Sequence, residues 1–229
     1  VILSNDTRAG EFSRCHLRSR GGGIGSQRNP FLWAGDQLRE FRFLKPTLRA
    51  VLSSGMSGIP FMSYDMAAYR PAKDPEKDPE NEVFLRGLEY TAFSANIQTH
   101  GLVKRPYDFD EHTKNVYRAY AKLHDVLRPY LIEQGKVAAA TALPLMRQLF
   151  LYDCTDERVF DIEDEYMLGG ALLVAPVLER AESRDIYLPA GTWQNIFDGK
   201  LYEGQNMLYD YPVPLEMVPV FRLTTAATQ

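Results

Sequence analysis

Three short apolar runs in the first hundred residues each end in a side chain that can transfer a proton or bind a hydroxyl group. Residues 31–36 end at Asp36, residues 59–65 end at Asp65, and residues 96–100 end at His100. Catalytic side chains of α/β barrels follow the ends of neighbouring strands in this way. Each run alone is a weak signal, but their repetition predicts three strand ends on one barrel face, with acid/base chemistry between them.

Asp36 is the sharpest candidate because Trp33 precedes it in the same run. A carboxyl group beside an indole ring is partly desolvated, which disfavours its charged form and keeps a proton available for a leaving oxygen. The spacing also allows a plainer role, since aspartate is a preferred N-cap residue and a helix is predicted to follow. His100 has a similar alternative as an ordinary structural histidine.

Helical periodicity indicates the elements that would position these strand ends. An apolar stripe from Phe41 to Leu52 predicts one helix, and a second stripe from Val116 to Leu131 predicts another, which we expect to end before Gly135. Between them, residues 71–80 are rich in proline and charge. This segment is predicted to be an exposed loop, either a solvated excursion or the rim of a site.

The pattern changes after about residue 165, where strand-like runs alternate with turn signals. Residues 171–177, 185–189 and 218–221 have the composition of strands, and a further strand is predicted to begin at Thr192. The chain is therefore predicted to combine two architectures in sequence, an α/β part followed by a β part.

Composition excludes several classes of function. A formal charge of −4 and a pI near 5.6 offer no broad positive field for nucleic acid. No run of about 18 apolar residues predicts a membrane span. The glycines at 21–25 lack the GK[ST] ending of a phosphate-binding loop, and Cys15 and Cys154 lack metal-ligand spacing. We therefore expect no cofactor and no metal, and the sequence leaves the cellular compartment open.

Residues 25–36, with the sequence GSQRNPFLWAGD, resemble the acid/base motif of glycoside hydrolase family 31. The resemblance implies that Asp36 is the general acid/base and that Trp33 lines the pocket of the sugar being cleaved. It also implies that Arg20 hydrogen-bonds that sugar.

Residues 58–69 resemble the next strand of that family, which normally reads G-x-D-I-G-G-F. Asp65 and Tyr69 are thereby implied in substrate binding, although Ala67, Ala68 and Tyr69 replace the usual two glycines and phenylalanine. His100 resembles the histidine that ends the last barrel strand and binds the same sugar. Segments downstream of residue 143 resemble the passage from the barrel into a β-sandwich. The implied fold is α/β, with the C-terminal half of a (β/α)8 barrel in residues 1–150 and a small antiparallel β-sandwich in residues 151–229.

The family's reaction is the retaining hydrolysis of α-glycosides, in which one carboxylate attacks the sugar and a second protonates the leaving oxygen. The nucleophile motif, typically W-x-D-M-N, does not occur in the 229 residues. We therefore expect the chain alone to be inactive. An oligosaccharide or α-glycoside is the expected partner; α-glucoside is the default, and α-xyloside, α-galactoside and sulfoquinovoside are alternatives.

Two other classes of function stay open on the sequence. One is a non-catalytic carbohydrate-binding or assembly fragment, whose incomplete barrel would favour self-association through uncovered strand edges. The other is an unrelated α/β enzyme.

Overall fold

The first part of the chain is a small parallel sheet with three helices. The structure is a computed structural model that describes residues 18–20, 25, 31–66, 68–76, 80–100 and 106–225. Its strands β1 (Arg18–Arg20), β2 (Phe31–Trp33) and β3 (Met62–Ser63) pair in parallel in that order. Parallel neighbours present their carboxyl ends at one edge, so the residues that follow β2 and β3 lie side by side.

Helix α1 (Leu44–Met56) connects β2 to β3 and follows a short 3-10 turn at Phe41–Phe43. Its apolar stripe is buried, as the periodicity predicted, and its buried residues include Leu44, Leu48 and Leu52. Gly58 adopts a φ of +80° just beyond the helix, a conformation that glycine accepts without steric cost.

Helix α2 (Glu80–Ala92) was not predicted, and its first residue lies in the segment 71–80 that the sequence analysis assigned to a loop. Residues 71–76 are mostly exposed, as expected. Residues 83–92 are all buried, including Arg86 and Glu89. The apolar residues Val83, Phe84 and Leu88 were not recognised as a helical stripe, because these two charged residues stand among them.

Helix α3 (Glu111–Thr141) is longer than predicted. The Asp110 side chain caps its first turn by accepting from the backbone N–H of Thr113 at 2.9 Å. The prediction that it ends before Gly135 is wrong, because Gly135 is a buried interior residue and the helix continues to Thr141.

The segment 96–100 is not a strand, contrary to the sequence prediction. It runs beside the residues that follow β3 and makes one ladder-type contact, in which the backbone N–H of Met66 donates to the carbonyl oxygen of Gln98 at 3.1 Å. A single such bond does not constitute a strand pair, although it fixes where Gln98 and His100 lie.

The second part of the chain consists of two packed antiparallel sheets. A six-stranded sheet has the order β4-β5-β6-β11-β8-β9, and a two-stranded sheet joins β10 to β7. The strands of the larger sheet are β4 (Met146–Arg147), β5 (Tyr166–Leu168), β6 (Leu172–Val174), β8 (Thr192–Asn195), β9 (Leu201–Glu203) and β11 (Val220–Thr225). Those of the smaller sheet are β7 (Ser183–Leu188) and β10 (Asn206–Pro212). Further 3-10 turns lie at Pro106–Asp108, Leu149–Leu151 and Glu157–Phe160.

The strands β5 and β6 of the six-stranded sheet are buried on both faces, which joins the two parts of the molecule. On β5, Tyr166 and Leu168 belong to the core that contains the helices, whereas Met167 belongs to the core between the two sheets. On β11, Val220 and Phe221 divide in the same way. Side chains alternate across a strand, so adjacent residues serve opposite cores.

The predicted order of an α/β part and an antiparallel sandwich is therefore confirmed. The boundary after residue 150 stays a prediction, and β4 pairs with β5 in the six-stranded sheet. Across the described ranges, no helix combines the length and apolar character that crossing a membrane requires.

Candidate active site

Trp33, Asp65, Tyr69 and His100 meet at the carboxyl edge of the parallel sheet. Trp33 ends β2 and is paired in register with Ser63 of β3, and Asp65 follows β3 directly. The His100 ring lies 5.7 Å from the ring centre of Trp33 and 4.7 Å from that of Tyr69. The tilted rings form a wall of aromatic and imidazole groups, a surface suited to the apolar face of a small polar ligand.

Asp65 is the buried anchor of this cluster. Its side chain is inaccessible to solvent, and its Oδ1 accepts a hydrogen bond from Gln98 Nε2 at 3.0 Å. The same oxygen lies 3.5 Å from Nδ1 of His100, whose side chain is 46% exposed. A fixed acceptor beneath an accessible imidazole orients the ring while leaving its outer edge available to a ligand.

Asp36 lies beyond the end of β2 and is half-buried. The first helical residue after it is Phe41, and the N-cap position of that turn belongs to Glu40. The alternative role of Asp36 as a helix cap is therefore wrong. Its backbone carbonyl accepts from Arg70 Nη2 at 3.0 Å, which ties it to the residue next to Tyr69.

The loops after β2 and β3 are fastened to each other by their backbones. The N–H groups of Tyr69 and Arg70 donate to the carbonyl oxygen of Gln37 at 3.1 and 3.0 Å, and the N–H of Arg39 donates to the carbonyl of Arg70 at 2.8 Å. These hydrogen bonds fix the two loops relative to each other, so a shift of the loop that carries Asp36 would also move Tyr69.

A buried pair of tyrosines lies close to Asp65, with which it lines a small cavity. Tyr64 stacks on Tyr90 with ring centres 4.4 Å apart, and burial raises the pKa of both hydroxyls well above the usual value. Burial also lowers the pKa of Arg39 to about 10. The phenols therefore stay neutral. The region around these buried side chains is poorly hydrated, so nearby charges interact strongly there.

Arg20 lies on β1, with its backbone paired in register with Trp33, so it occupies the same edge of the sheet. Ala67 and Cys15 lie outside the described residues. Within the described part of the chain, no group of three His, Cys, Asp or Glu side chains is arranged to hold a metal ion.

Two residues of the site were not predicted from the sequence: Gln98, which donates to Asp65, and Arg70, which donates to the backbone carbonyl of Asp36. Gln98 could have been found, because it stands two positions before His100 in an extended segment and so shares its side. Arg70 could not, because its contact joins two loops that are 34 residues apart and no local sequence pattern indicates it.

Comparison with known families agrees with this architecture. The model of the glycosyl hydrolases family 31 TIM-barrel domain matches residues 4–134, and that of the glycosyl hydrolase family 31 C-terminal domain matches residues 142–223. The chain belongs to glycoside hydrolase family 31. Its α/β part is accordingly a fragment of that family's (β/α)8 barrel, as the sequence motifs implied.

Known members of the family resemble most of the chain. It is 32% identical to the 1,3-alpha-isomaltosidase of Kribbella flavida, over 89% of the chain and 29% of that protein. It is 28% identical to the alpha-glucosidase of Saccharolobus solfataricus, over 88% of the chain and 30% of that enzyme. Among solved structures, the cycloalternan-degrading enzyme of Trueperella pyogenes in complex with isomaltose matches with a TM-score of 0.81 and 28% identity. That match covers 92% of this chain and 31% of that one. The chain thus spans less than a third of the length of these relatives.

Proposed function

We propose that this chain supplies the acid/base half of the active site of a retaining α-glycoside hydrolase, with α-glucosides as the substrate class. The proposal is supported by a half-buried Asp36 just beyond β2, in a loop whose backbone is hydrogen-bonded to Tyr69 and Arg70. Tyr69 in turn lies in the cluster with Trp33, Asp65 and His100. α-Xylosides, α-galactosides and sulfoquinovosides remain alternative substrates.

In the proposed reaction, Asp36 protonates the leaving oxygen of the glycoside and later accepts a proton from the attacking water. The rings of Trp33 and Tyr69 form the sides of the sugar pocket. His100, oriented by Asp65, holds a sugar hydroxyl, and Arg20 contributes a further hydrogen bond from β1. Each of these roles fits a residue type that can donate or accept at that position.

The second carboxylate of a retaining pair lies about 5 Å from the first. The W-x-D-M-N string is absent from the 229 residues, and we propose that the chain by itself does not turn over substrate. Loss of one member of such a pair costs orders of magnitude in rate. The expected partner is an oligosaccharide, and self-association through uncovered strand edges stays a prediction.

Ligand binding tests the site without requiring turnover. Trp33 is one of two tryptophans, and the other, Trp193, is buried between the two sheets. We expect the cationic aza-sugar 1-deoxynojirimycin to change the fluorescence of the purified chain, and Trp33→Phe to remove that response. Asp36→Asn should weaken binding about tenfold or more, because a charge-assisted hydrogen bond contributes about 1.5–3 kcal/mol.

The matched control is Asp125→Asn, which changes an exposed carboxylate on α3 and should leave the affinity unchanged. Equal affinity in Asp36→Asn and the unsubstituted chain would refute the role of Asp36. Hydrolysis of an aryl α-glucoside by the chain, abolished in Asp36→Asn, would instead show that a nucleophile lies within these residues.

A further inference from the structure

A cavity of ≈ 520 Å³ lies where the start of helix α1 meets the sandwich, and its lining includes no residue of the cluster of Trp33, Asp65, Tyr69 and His100. Phe41, Arg42 and Lys45 line it from the barrel side, and Met207 and Ser183 line it from the smaller sheet. Its volume falls in the range of about 300–1,000 Å³ typical of small-molecule sites.

Carboxylates predominate in the lining of this junction cavity. Three cationic side chains, Arg42, Lys45 and Arg184, also line it. The six carboxylates are Asp161, Glu163, Asp164, Glu165, Glu179 and Asp185. This surplus of carboxylates disfavours phosphate, sulfate and other anions.

Several of these charges are already paired within the protein. Lys45 bridges to Asp164 at 3.2 Å, Glu163 pairs with Arg49 of α1, and Arg184 lies 3.3 Å from Asp164. The paired carboxylates retain lone pairs that can accept hydrogen bonds from a ligand. The cavity therefore offers many acceptors and a few donors, which suits hydroxyl groups, since each hydroxyl both donates and accepts.

Glu165 adds an independent sign of a ligand, because it is only 2% exposed and lines the cavity. Its Oε1 accepts from the backbone N–H of Tyr187 at 2.9 Å and lies 3.5 Å from Arg184 Nη2. Its Oε2 has no hydrogen-bond partner among the described residues. A buried polar atom left without a partner costs about 1–3 kcal/mol, which a ligand that reaches it would recover.

We propose that this junction cavity is a second saccharide-binding site, in which Glu165 Oε2 and the surrounding carboxylates bind the hydroxyl groups of a neutral sugar. The choice of a saccharide rests on the proposed function, whereas the site itself rests on the cavity and on Glu165. Burial also raises the pKa of Glu165 to about 8, so at neutral pH its carboxyl group can donate as well as accept.

The methionine methyl groups allow the two sites to be tested separately in the whole chain. Met207 lines the junction cavity, and Met62 lies on β3, next to the residue that pairs with Trp33 of the candidate active site. In NMR spectra of the chain labelled with ¹³C at its methionine methyls, we expect isomaltose to shift the Met207 signal saturably. A Met62 response would report the other site, so failure of either proposal is distinguishable.

Two substitutions test the assignment further. Glu165→Leu removes the carboxyl group and should abolish the Met207 shift, whereas Glu165→Gln, an isostere of the protonated carboxyl, should retain it. Ser183→Trp fills the cavity from an exposed strand position and should abolish the shift without disturbing the core. Thr224→Trp, on an exposed position of β11 outside the cavity, is the matched control and should leave the shift unchanged.

The proposal is overturned if isomaltose does not shift Met207, or if the shift persists in Ser183→Trp. A saturable shift with spermidine and none with isomaltose would overturn the choice of a neutral saccharide.

Discussion

Ala68 is the residue at which the backbone of the candidate active site is most constrained. It is buried and adopts a φ of +70°, and its N–H donates to the carbonyl oxygen of Asp65 at 2.7 Å. The left-handed conformation costs an L-residue about 1–2 kcal/mol. The tight turn places Tyr69 against His100, so the strain is located where the pocket wall is formed.

We expect Ala68→Gly to stabilise the chain by up to about 1 kcal/mol. Glycine removes the left-handed penalty but gives back about 0.4–1 kcal/mol through its freedom in the unfolded state. Urea unfolding monitored by circular dichroism measures the difference. Ala95→Gly is the matched control, because Ala95 is equally buried without a positive φ; it should destabilise. Stabilisation by both or by neither would contradict this account.

Individual site residues were predictable where they belong to a local sequence motif. Trp33 and Asp36 occur in one apolar run, and Asp65 and His100 end two others, so the ends of these runs suggested their proximity, although residues 96–100 form no strand. Arg70 was not predictable, because its contact with the Asp36 backbone depends on how two loops lie against each other.

At the scale of elements, helix α3 shows why a local stop signal failed. Gly135 has the residue type that often follows a helix end. Tertiary contacts beside it are stronger: Tyr130 donates to the carbonyl of Leu168 at 2.7 Å, and Gln134 accepts from the N–H of Gly170 at 3.0 Å. Together they outweigh the cost of about 1 kcal/mol for an interior glycine.

The actual end of α3 supplies a prediction. Ala142 caps the helix with a φ of +63°, and its N–H donates to the carbonyl of Ala138 at 3.0 Å. Ala142→Gly should raise the free energy of unfolding by up to about 1 kcal/mol, since glycine is the preferred residue in this conformation. Ala139→Gly, three residues earlier and also exposed, should lower it by about 0.5–1 kcal/mol. Chemical denaturation of both variants measures the change in the free energy of unfolding. Changes of the same sign in the two variants would disprove the explanation.

At the scale of the whole molecule, helix α2 connects the barrel fragment to the sandwich. Arg86 is buried and donates to the carbonyl oxygens of Val213 at 2.7 Å and Pro214 at 3.1 Å, and to Glu89 at 3.1 Å. The order of the two architectures was predictable from periodicity. This joint was not predictable, because Arg86 binds carbonyl oxygens that lie 127 and 128 residues further along the chain.

The joint also predicts how stability depends on pH. Burial raises the pKa of Glu89 to about 8 from an ordinary value of 4.5, although Arg86 acts in the opposite direction. Between these values the folded chain binds more protons than the unfolded chain. The stabilising contribution of Glu89 to the free energy of unfolding is therefore fully present below pH 4.5. It is lost as the pH rises towards 8, by at most about 1.4 kcal/mol per pH unit.

We therefore expect Glu89→Gln to make the decline of stability between pH 5 and pH 8 less steep, because glutamine stays neutral throughout. Part of the decline should persist, since burial also raises the pKa of Glu165 to about 8. Urea unfolding at intervals across this range gives the slope for each variant. Glu133→Gln, an exposed substitution on α3, is the control and should keep the original slope. If Glu89→Gln declines as steeply as the unsubstituted chain, Glu89 is charged in the folded state. The joint would then be held by a buried ion pair rather than by a neutral carboxyl group beside a guanidinium that the sandwich carbonyls already bind.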